Sequence, residues 1–214
     1  MKRKVKKRVQ RLLTLVLAAC FMMAQPTEAT QVVNGVNSTI NTYYDGGYSI
    51  MGPTTVTIGQ MINYYQANQA YPAFYANTDA PNIYVFCMMY MEECNAEGVR
   101  AEVAFAQAMK ETGFLRYRGD VHIEQFNFAG LGATGNGNPG NSFPTVRMGI
   151  RAQVQHLKAY ASTNPLVNNC IDDRFRYISR GSAEYVQQLG KGNWATDTSY
   201  DTKLMVYIKK MLAS

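Results

Sequence analysis

Apolar residues recur at helical spacing in several segments of the chain. In "IGQMINYYQANQ" (residues 58–69), Ile58, Met61 and Tyr65 fall on one face of a helix with 3.6 residues per turn. After a turn-rich connection, "NIYVFCMMYMEECNAEG" (82–98) forms a second apolar run, which starts beside Pro81 and stops at Gly98. Proline near a helix start and glycine just past its end are typical helix boundaries. Both segments are therefore predicted to be helices.

Three more helices follow from the same pattern. Residues 99–112 continue the periodicity until Thr112 and Gly113 end it. The segment "FPTVRMGIRAQVQHLKAYAS" (143–162) carries Pro144 near its first turn and places Val146 and Ile150 on an inward face. Beyond it, loops alternate with short helices, and "TKLMVYIKKML" (202–212) is predicted to be the last helix.

Two segments lack helical periodicity. Residues 113–142 are rich in glycine, which predicts loops and a short hairpin. Residues 30–57 are rich in Asn, Thr, Tyr and Gly and predict an N-terminal segment that is loose and then extended around "TTVT". We therefore expect a mainly α, α+β fold, in which a helical domain of residues 58–214 carries a small Gly-rich β/loop lobe.

The N-terminal residues 1–29 have the pattern of a secretory signal peptide. Residues 1–11 hold seven of the 21 basic residues and no acid, and the apolar run "LLTLVLAACFMMA" follows. That run is too short for a comfortable transmembrane helix. Residues 30–214 hold 14 basic and 14 acidic residues, so the formal charge of +6 belongs to the signal. We therefore expect a secreted protein of the cell wall or extracellular space, and no nucleic-acid partner.

Two processing sites compete in this segment. "LAAC" (17–20) is similar to the lipobox of bacterial lipoproteins, which would leave a lipid anchor on Cys20 as the only link to a membrane. "TEA" (27–29) offers the small residues that ordinary signal peptidase needs, and the apolar continuation after Cys20 favours it. Removal of Cys20 leaves Cys87, Cys94 and Cys170, an odd count that favours free thiols over a disulfide framework.

Several short motifs carry no function in this context. "GLGATG" (130–135) matches a dinucleotide-binding pattern, but "NGNPGN" follows it where a helix is required. The tripeptide from Arg118 to Asp120 spells RGD, which arises easily by chance. The two histidines, His122 and His156, have no zinc-binding spacing around them. We therefore predict neither a metal site nor an organic cofactor.

Glu111 lies in the last turn of the helix predicted over residues 99–112. A carboxylate there faces the negative end of the helix dipole, which disfavours its charge. On the helix it shares a face with Gln107 and the small residues Ala104 and Ala108, which predicts a groove beside the carboxyl group. A glycosidase needs a protonated carboxyl of this kind to donate a proton to the leaving oxygen.

Three segments in order resemble the glucosaminidase domain of glycoside hydrolase family 73. They are "AFAQAMKETGFLRYRGD", "FNFAGLGATGNGNPGNSFPTVRMGIRAQVQHLKAYA" and "GNWATDTSYDTKL", and the resemblance spans about residues 82–210. It implies a lysozyme-like fold with a catalytic Glu at a helix end beside a small lobe. It also implies endo-β-N-acetylglucosaminidase action on the glycan strands of peptidoglycan. By this resemblance, Glu111 is the expected general acid, and Asn127 and Phe128 are expected near the sugar.

The sequence does not identify a single residue as the second catalytic carboxylate. No acid occurs between Glu124 and Asp172, so the partner that some members of the family use is absent. Asp120 and Glu124 are the nearest candidates and could hold the water of an inverting enzyme, which needs carboxyl groups about 6.5–9.5 Å apart. The alternative that we favour is substrate assistance, in which the N-acetyl group of the sugar supplies the nucleophile.

Aromatic residues are candidates for sugar contact because their faces stack on pyranose rings. Trp194 opens the "ATD" motif, where many members of the family have an aromatic residue close to the reacting sugar. Tyr177, Tyr200 and Phe128 are further candidates to line a glycan groove, as is Phe143, for which core packing is the stronger expectation.

These inferences lead to a monomeric peptidoglycan hydrolase, an autolysin-type secreted enzyme. A lytic transglycosylase on the same scaffold is an alternative, since it also works with one acid but leaves anhydro sugar ends. A second alternative is a wall-binding module that has lost turnover with its second acid. A third is a secreted assembly protein that acts through residues 30–57.

Overall fold

Among the described residues, five helices provide most of the regular secondary structure. The computed structural model describes residues 43–44, 47–190 and 192–214, which all belong to one compact unit spanning residues 42–214. The helices are α1 (Ile58–Gln66), α2 (Ile83–Glu97), α3 (Ala101–Thr112), α4 (Val146–Ala161) and α5 (Tyr200–Leu212). Short 3₁₀ turns lie at Ala73–Asn77, Ile123–Gln125, Phe175–Tyr177 and Val186–Gln188. The predicted mainly α fold is confirmed.

Strand content is small. Strands β1 (Tyr43–Tyr44) and β2 (Gly47–Tyr48) pair antiparallel near the start of the described residues. Within the Gly-rich segment, the structure has an isolated bridge between Gly135 and Asn138 in place of the predicted hairpin. The lobe beside the helices is therefore built of loops. The proposed signal peptide (1–29) and its Cys20 lie outside the described residues.

The helices begin and end at capping residues. The Thr57 and Gln60 side chains form a capping box at the start of α1, and the Asn82 side chain accepts from the backbone N–H of Val85 at the start of α2. Gly98 ends α2 in the left-handed conformation, as its sequence position predicted. The next helix starts later than the predicted residue 99, because Val99 pairs with Met51 in a β-bridge.

The core surrounds α3. All residues of α3 from Ala101 to Met109 are buried, and this helix packs against α5, α2 and α4. The rings of Phe86 and Tyr90 on α2 and of Phe105 on α3 meet edge to face, with centroids 5.2–6.2 Å apart. Such edge-to-face contacts between buried rings stabilise beyond the area they bury. The small side chains of α3 allow its neighbours to pack this closely.

The extended segment before α1 is part of the same unit. Residues 47–57 hydrogen-bond to the start of α3: the Tyr48 hydroxyl donates to Glu102 Oε1 (2.9 Å), and the backbone N–H of Arg100 donates to the carbonyl of Ile50 (2.9 Å). Glu102 is fully buried and also accepts two hydrogen bonds from Thr55. The sequence predicted a domain that begins at residue 58, whereas residues 47–57 belong to the same compact unit as the helices.

Buried ion pairs join the helices on the other side of the core. Lys158 Nζ on α4 lies 2.8 Å from Glu97 Oε2 on α2, and both side chains are buried. Burial alone would raise the pKa of Glu97, but hydrogen bonds from Lys158 and from the backbone N–H groups of Asn168 and Val167 lower it overall. This pair therefore holds the loop after α4 against the helices.

The three cysteines in the described residues are free. Cys87 and Cys94 are buried in α2, as predicted, whereas Cys170 is exposed in the loop after α4. Burial raises the pKa of the Cys94 thiol well above its usual range, so it stays a neutral core side chain.

Candidate active site

The end of α3 projects Glu111 from the buried core. Gly113 ends the helix in the left-handed conformation (φ 58°), and the Phe114 N–H donates to the Met109 carbonyl. Phe114 and Leu115 also have positive φ (59° and 61°), which non-glycine residues adopt uncommonly. Each such residue costs about 1–3 kcal/mol, and strain of this kind clusters at functional sites. The chain therefore turns sharply directly after the acid.

Among the residues that the structure describes, two side chains make polar contacts with the Glu111 carboxyl group, and both contact Oε1. The Tyr200 hydroxyl on α5 donates to it at 2.6 Å, and Lys110 Nζ lies 3.5 Å away. The side chain keeps 23% of its surface exposed. Glu111 is therefore held from the protein side and remains open to solvent on the other.

The predicted groove along α3 is wrong. Ala104 and Ala108 are fully buried, because their small side chains let the neighbouring helices approach α3 closely. Gln107, on the same face, donates through Nε2 to the Tyr200 hydroxyl at 3.1 Å. The face behind Glu111 is thus a packed interface that contains hydrogen bonds.

Tyr200 has a different place from the one that its sequence suggested. Its ring is 1% exposed, so it cannot offer a face to a sugar, and its hydroxyl contacts Glu111 directly. Lys110 Nζ lies 4.0 Å from the ring centroid, a cation–π contact. Sequence reasoning missed the pairing because 89 positions separate the two residues.

Asn127 and Phe128 are also buried rather than exposed to a cleft. The Asn127 side chain bonds to the backbone of Leu131 and Asn141 (2.9–3.0 Å), so its polar atoms hold the Gly-rich loop. Phe128 is fully buried, with its ring centroid 5.2 Å from that of Phe86. Direct sugar contact through the Phe128 ring is therefore corrected to core packing. Phe143 is likewise buried, as expected.

Two of the predicted aromatic residues keep exposed surface. Tyr177 is 65% exposed and lies beneath the Arg176 guanidinium, which is 4.9 Å from the ring centroid. Trp194 is half-buried and meets the His156 ring edge to face, with centroids 5.1 Å apart. Both residues can offer an aromatic face to a glycan, although Trp194 only over part of its ring.

His156 is buried and pairs with an acid from the loop after α4. Its Nδ1 lies 2.6 Å from Asp172 Oδ2, and both side chains are buried. In the part of the chain that the structure describes, no group of three His, Cys, Asp or Glu residues could hold a metal ion. The hydrogen bond to Asp172 therefore fixes the His156 ring, which packs against Trp194.

The candidate second carboxylates lie in the segment after Glu111. Asp120 is half-buried, and Glu124 is exposed in the 3₁₀ turn Ile123–Gln125. A third acid, Asp173, accepts from the Asn141 side chain at 2.5 Å and lines an open groove of about 370 Å³ with Phe143 and Met148. Sequence reasoning did not consider Asp173 because it lies beyond α4 in the chain. The fold brings it to the Gly-rich loop.

One comparison with known proteins identifies a family. The sequence profile described as "Glucosaminidase: Mannosyl-glycoprotein endo-beta-N-acetylglucosaminidase" matches residues 87–213. A curated "Uncharacterized protein" of Borreliella burgdorferi is 45% identical over 123 residues, which are 58% of this chain and 60% of that protein. The chain thus matches less than two thirds of that relative's length. No solved structure matches the chain.

Proposed function

The chain belongs to the glucosaminidase family described as mannosyl-glycoprotein endo-beta-N-acetylglucosaminidase, and from this membership we propose that it cleaves peptidoglycan strands after N-acetylglucosamine. Membership supports glycoside hydrolase activity of the peptidoglycan type. Glu111 is the proposed general acid. The observation that carries this proposal is its place at the end of α3, with Oε1 bonded to buried Tyr200 and part of the side chain open to solvent.

The sequence favours a mechanism with one protein carboxyl group, because no acid occurs between Glu124 and Asp172, where some members of the family have their second carboxylate. We therefore propose substrate assistance, in which the acetamido oxygen of the sugar attacks C1 while Glu111 protonates the leaving oxygen. The C1–O electron pair stays with the leaving group. Water then attacks C1, the bond from C1 to the acetamido oxygen breaks, and the Glu111 carboxylate accepts a proton from that water.

Product chemistry tests the bond that is cut. Purified peptidoglycan would be digested with the protein, and the fragments would be analysed by mass spectrometry before and after borohydride reduction. We expect N-acetylglucosamine ends that gain two hydrogens on reduction. Anhydro ends would instead establish a lytic transglycosylase, which the single-acid arrangement also suits. Binding without fragments would support the wall-binding alternative.

Substrate assistance has its own test. Peptidoglycan whose glucosamine residues have been chemically de-N-acetylated lacks the internal nucleophile, so cleavage should fall to the background level. The same strands after re-acetylation are the control. Equal cleavage of both materials would exclude substrate assistance and direct attention to Asp120 and Glu124.

The proposed function includes export of the protein. We propose that residues 1–29 direct secretion to the cell wall or extracellular space, and the support is the basic start and short apolar run of the sequence. No helix among the described residues is long and apolar enough to span a membrane. The mass of the N-terminal peptide of the exported protein distinguishes cleavage after Ala29 from lipid modification of Cys20.

A further inference from the structure

A chain of four hydrogen bonds runs through the core and ends at Glu111. The Tyr90 hydroxyl donates to Gln153 Oε1 (2.8 Å), and Gln153 Nε2 donates to Gln107 Oε1 (2.9 Å). Gln107 Nε2 donates to the Tyr200 hydroxyl (3.1 Å), which donates to Glu111 Oε1 (2.6 Å). The first four side chains come from α2, α4, α3 and α5, and each is at most 1% exposed.

The direction of this chain follows from its buried amides. Gln153 Nε2 faces two oxygens, Gln107 Oε1 and the carbonyl of Ala104, both at 2.9 Å. The opposite amide orientation would set an oxygen against two oxygens in a buried site, which is costly. Gln107 must therefore accept from Gln153 and donate to Tyr200. Because the Tyr200 oxygen accepts that bond, its own proton points at Glu111.

The Tyr200 hydroxyl remains a donor over the working pH range. Burial, and then the charge of the neighbouring Glu111, raise the pKa of Tyr200 well above its ordinary value. Lys110, from the same helix as Glu111, adds its ammonium group at 3.5 Å from Oε1. Among the described residues, Lys110 and Tyr200 are the titratable groups that contact the carboxyl group. Both contact Oε1.

We propose that Tyr200 is a positioning residue which reserves Glu111 Oε1 as an acceptor, so that Oε2 carries and delivers the acidic proton. This inference rests on the proposed function of Glu111. In the transfer, the Oε2–H bond breaks and an O–H bond forms at the glycosidic oxygen. The carboxylate that remains is stabilised at Oε1 by a short O–H···O⁻ hydrogen bond. Gln107, Gln153 and Tyr90 hold the hydroxyl in the required direction.

Replacement of Tyr200 by phenylalanine tests this role through the pH profile. A hydrogen bond to the charged form favours that form, so its loss should keep Glu111 protonated to higher pH. In Tyr200→Phe, we expect the alkaline limb of the kcat profile to move to higher pH. We also expect kcat to fall about tenfold with KM unchanged, because the transition-state charge loses its donor.

Two further variants separate positioning from packing. Tyr71→Phe removes a comparable hydrogen bond, from the Tyr71 hydroxyl to the Ala80 carbonyl at 2.8 Å, and should leave the pH profile unchanged. Gln107→Met keeps the volume of the side chain but frees the Tyr200 hydroxyl to reorient. It should therefore move the alkaline limb of the kcat profile in the same direction as Tyr200→Phe, by a smaller amount. This variant also keeps the proposal testable if Tyr200→Phe does not fold.

A titration that needs no turnover distinguishes the two proposals. The carboxyl carbon of Glu111 would be followed by ¹³C NMR in the wild type and in the variants, with its signal assigned from Glu111→Gln. A midpoint that rises in Tyr200→Phe or Gln107→Met supports the hydrogen bond to Oε1, and with cleavage by the wild type it supports the positioning role. A midpoint that rises in a protein that cleaves no glycan would mean that the proposed function has failed while the hydrogen bond stands. Unchanged midpoints in the folded variants would overturn the positioning role, even if peptidoglycan is cleaved.

Discussion

The Glu111 carboxyl group is held by a residue from another helix. Only the packing of α5 on α3 brings the buried Tyr200 hydroxyl within 2.6 Å of Oε1. Burial therefore makes Tyr200 a hydrogen-bond donor rather than a sugar platform. The place of Glu111 before Thr112 and Gly113, with the motif around it, singles it out from sequence, but the role of Tyr200 depends on contacts that only the fold creates.

Glu97 offers a prediction at this same scale. Substitution by glutamine leaves the buried Lys158 ammonium without its counter-charge, which typically costs about 3–5 kcal/mol. Because the folded-state pKa of Glu97 is lowered, its stabilisation is present above the unfolded value of about 4.3 and is lost as the pH falls. The unfolding free energy of Glu97→Gln should therefore be lower at pH 7 and depend less on pH below about 4.

Urea unfolding at pH 7 and at pH 3 measures both parts of this prediction. Glu184→Gln, which changes an exposed carboxyl group, is the control and should resemble the wild type. An equal unfolding free energy for Glu97→Gln and the wild type at pH 7 would show that the ion pair contributes nothing.

Helices and loops differ in how well the sequence determined them. Helix periodicity and caps gave α1, α2 and α4 to within a few residues, since those signals are local. The Gly-rich loop is held by non-local contacts that have no such signature. Gln125 Nε2 donates to carbonyls of Pro139 and Asn141, and Asn127 bridges the same stretch. Its structure therefore became apparent only with the fold.

The end of α3 gives a prediction for an element. Gly113 has a φ of 58° and open space where a Cβ would lie, so Gly113→Ala is penalised by backbone conformation alone. The left-handed conformation costs an L-residue about 1–2 kcal/mol, and the unfolding free energy should fall by that amount. Activity should fall as well, because the substitution loosens the turn that fixes Glu111.

Gly119→Ala is the matched control for this variant. Its added Cβ also meets open space, but its φ is not in the left-handed region, so stability should change by less than about 0.5 kcal/mol. Thermal unfolding of both proteins measures the difference. Equal midpoints would mean that the end of α3 relaxes to accept alanine.

The whole molecule extends further towards the N-terminus than its helical pattern suggests. The side chains of Tyr48, Ile50 and Val56 are buried in the core, and Tyr48 also bonds to buried Glu102. Such positions lie outside any helical period, and their burial depends on partners that are distant in the chain. Periodicity therefore identified the helices but not the segment that completes the core.

Two shortened chains test this extension. Each buried apolar side chain contributes about 1.5–3 kcal/mol, so loss of all three approaches the total stability of a small domain, about 5–15 kcal/mol. We expect a chain of residues 42–214 to unfold cooperatively and a chain of residues 58–214 to be largely unfolded at 25 °C. Circular dichroism melting compares them, and equal melting temperatures would contradict the prediction.

We propose that Glu111 is the general acid of a peptidoglycan hydrolase. The most direct measurement is the initial rate of soluble fragment release from purified peptidoglycan by the wild type, Glu111→Gln and Glu184→Gln. Loss of a general acid lowers rates by about 10²–10⁴-fold, so Glu111→Gln should be nearly inactive while its melting temperature stays near that of the wild type. Glu184→Gln should keep full activity. Fragment release by folded Glu111→Gln at the wild-type rate would contradict the account.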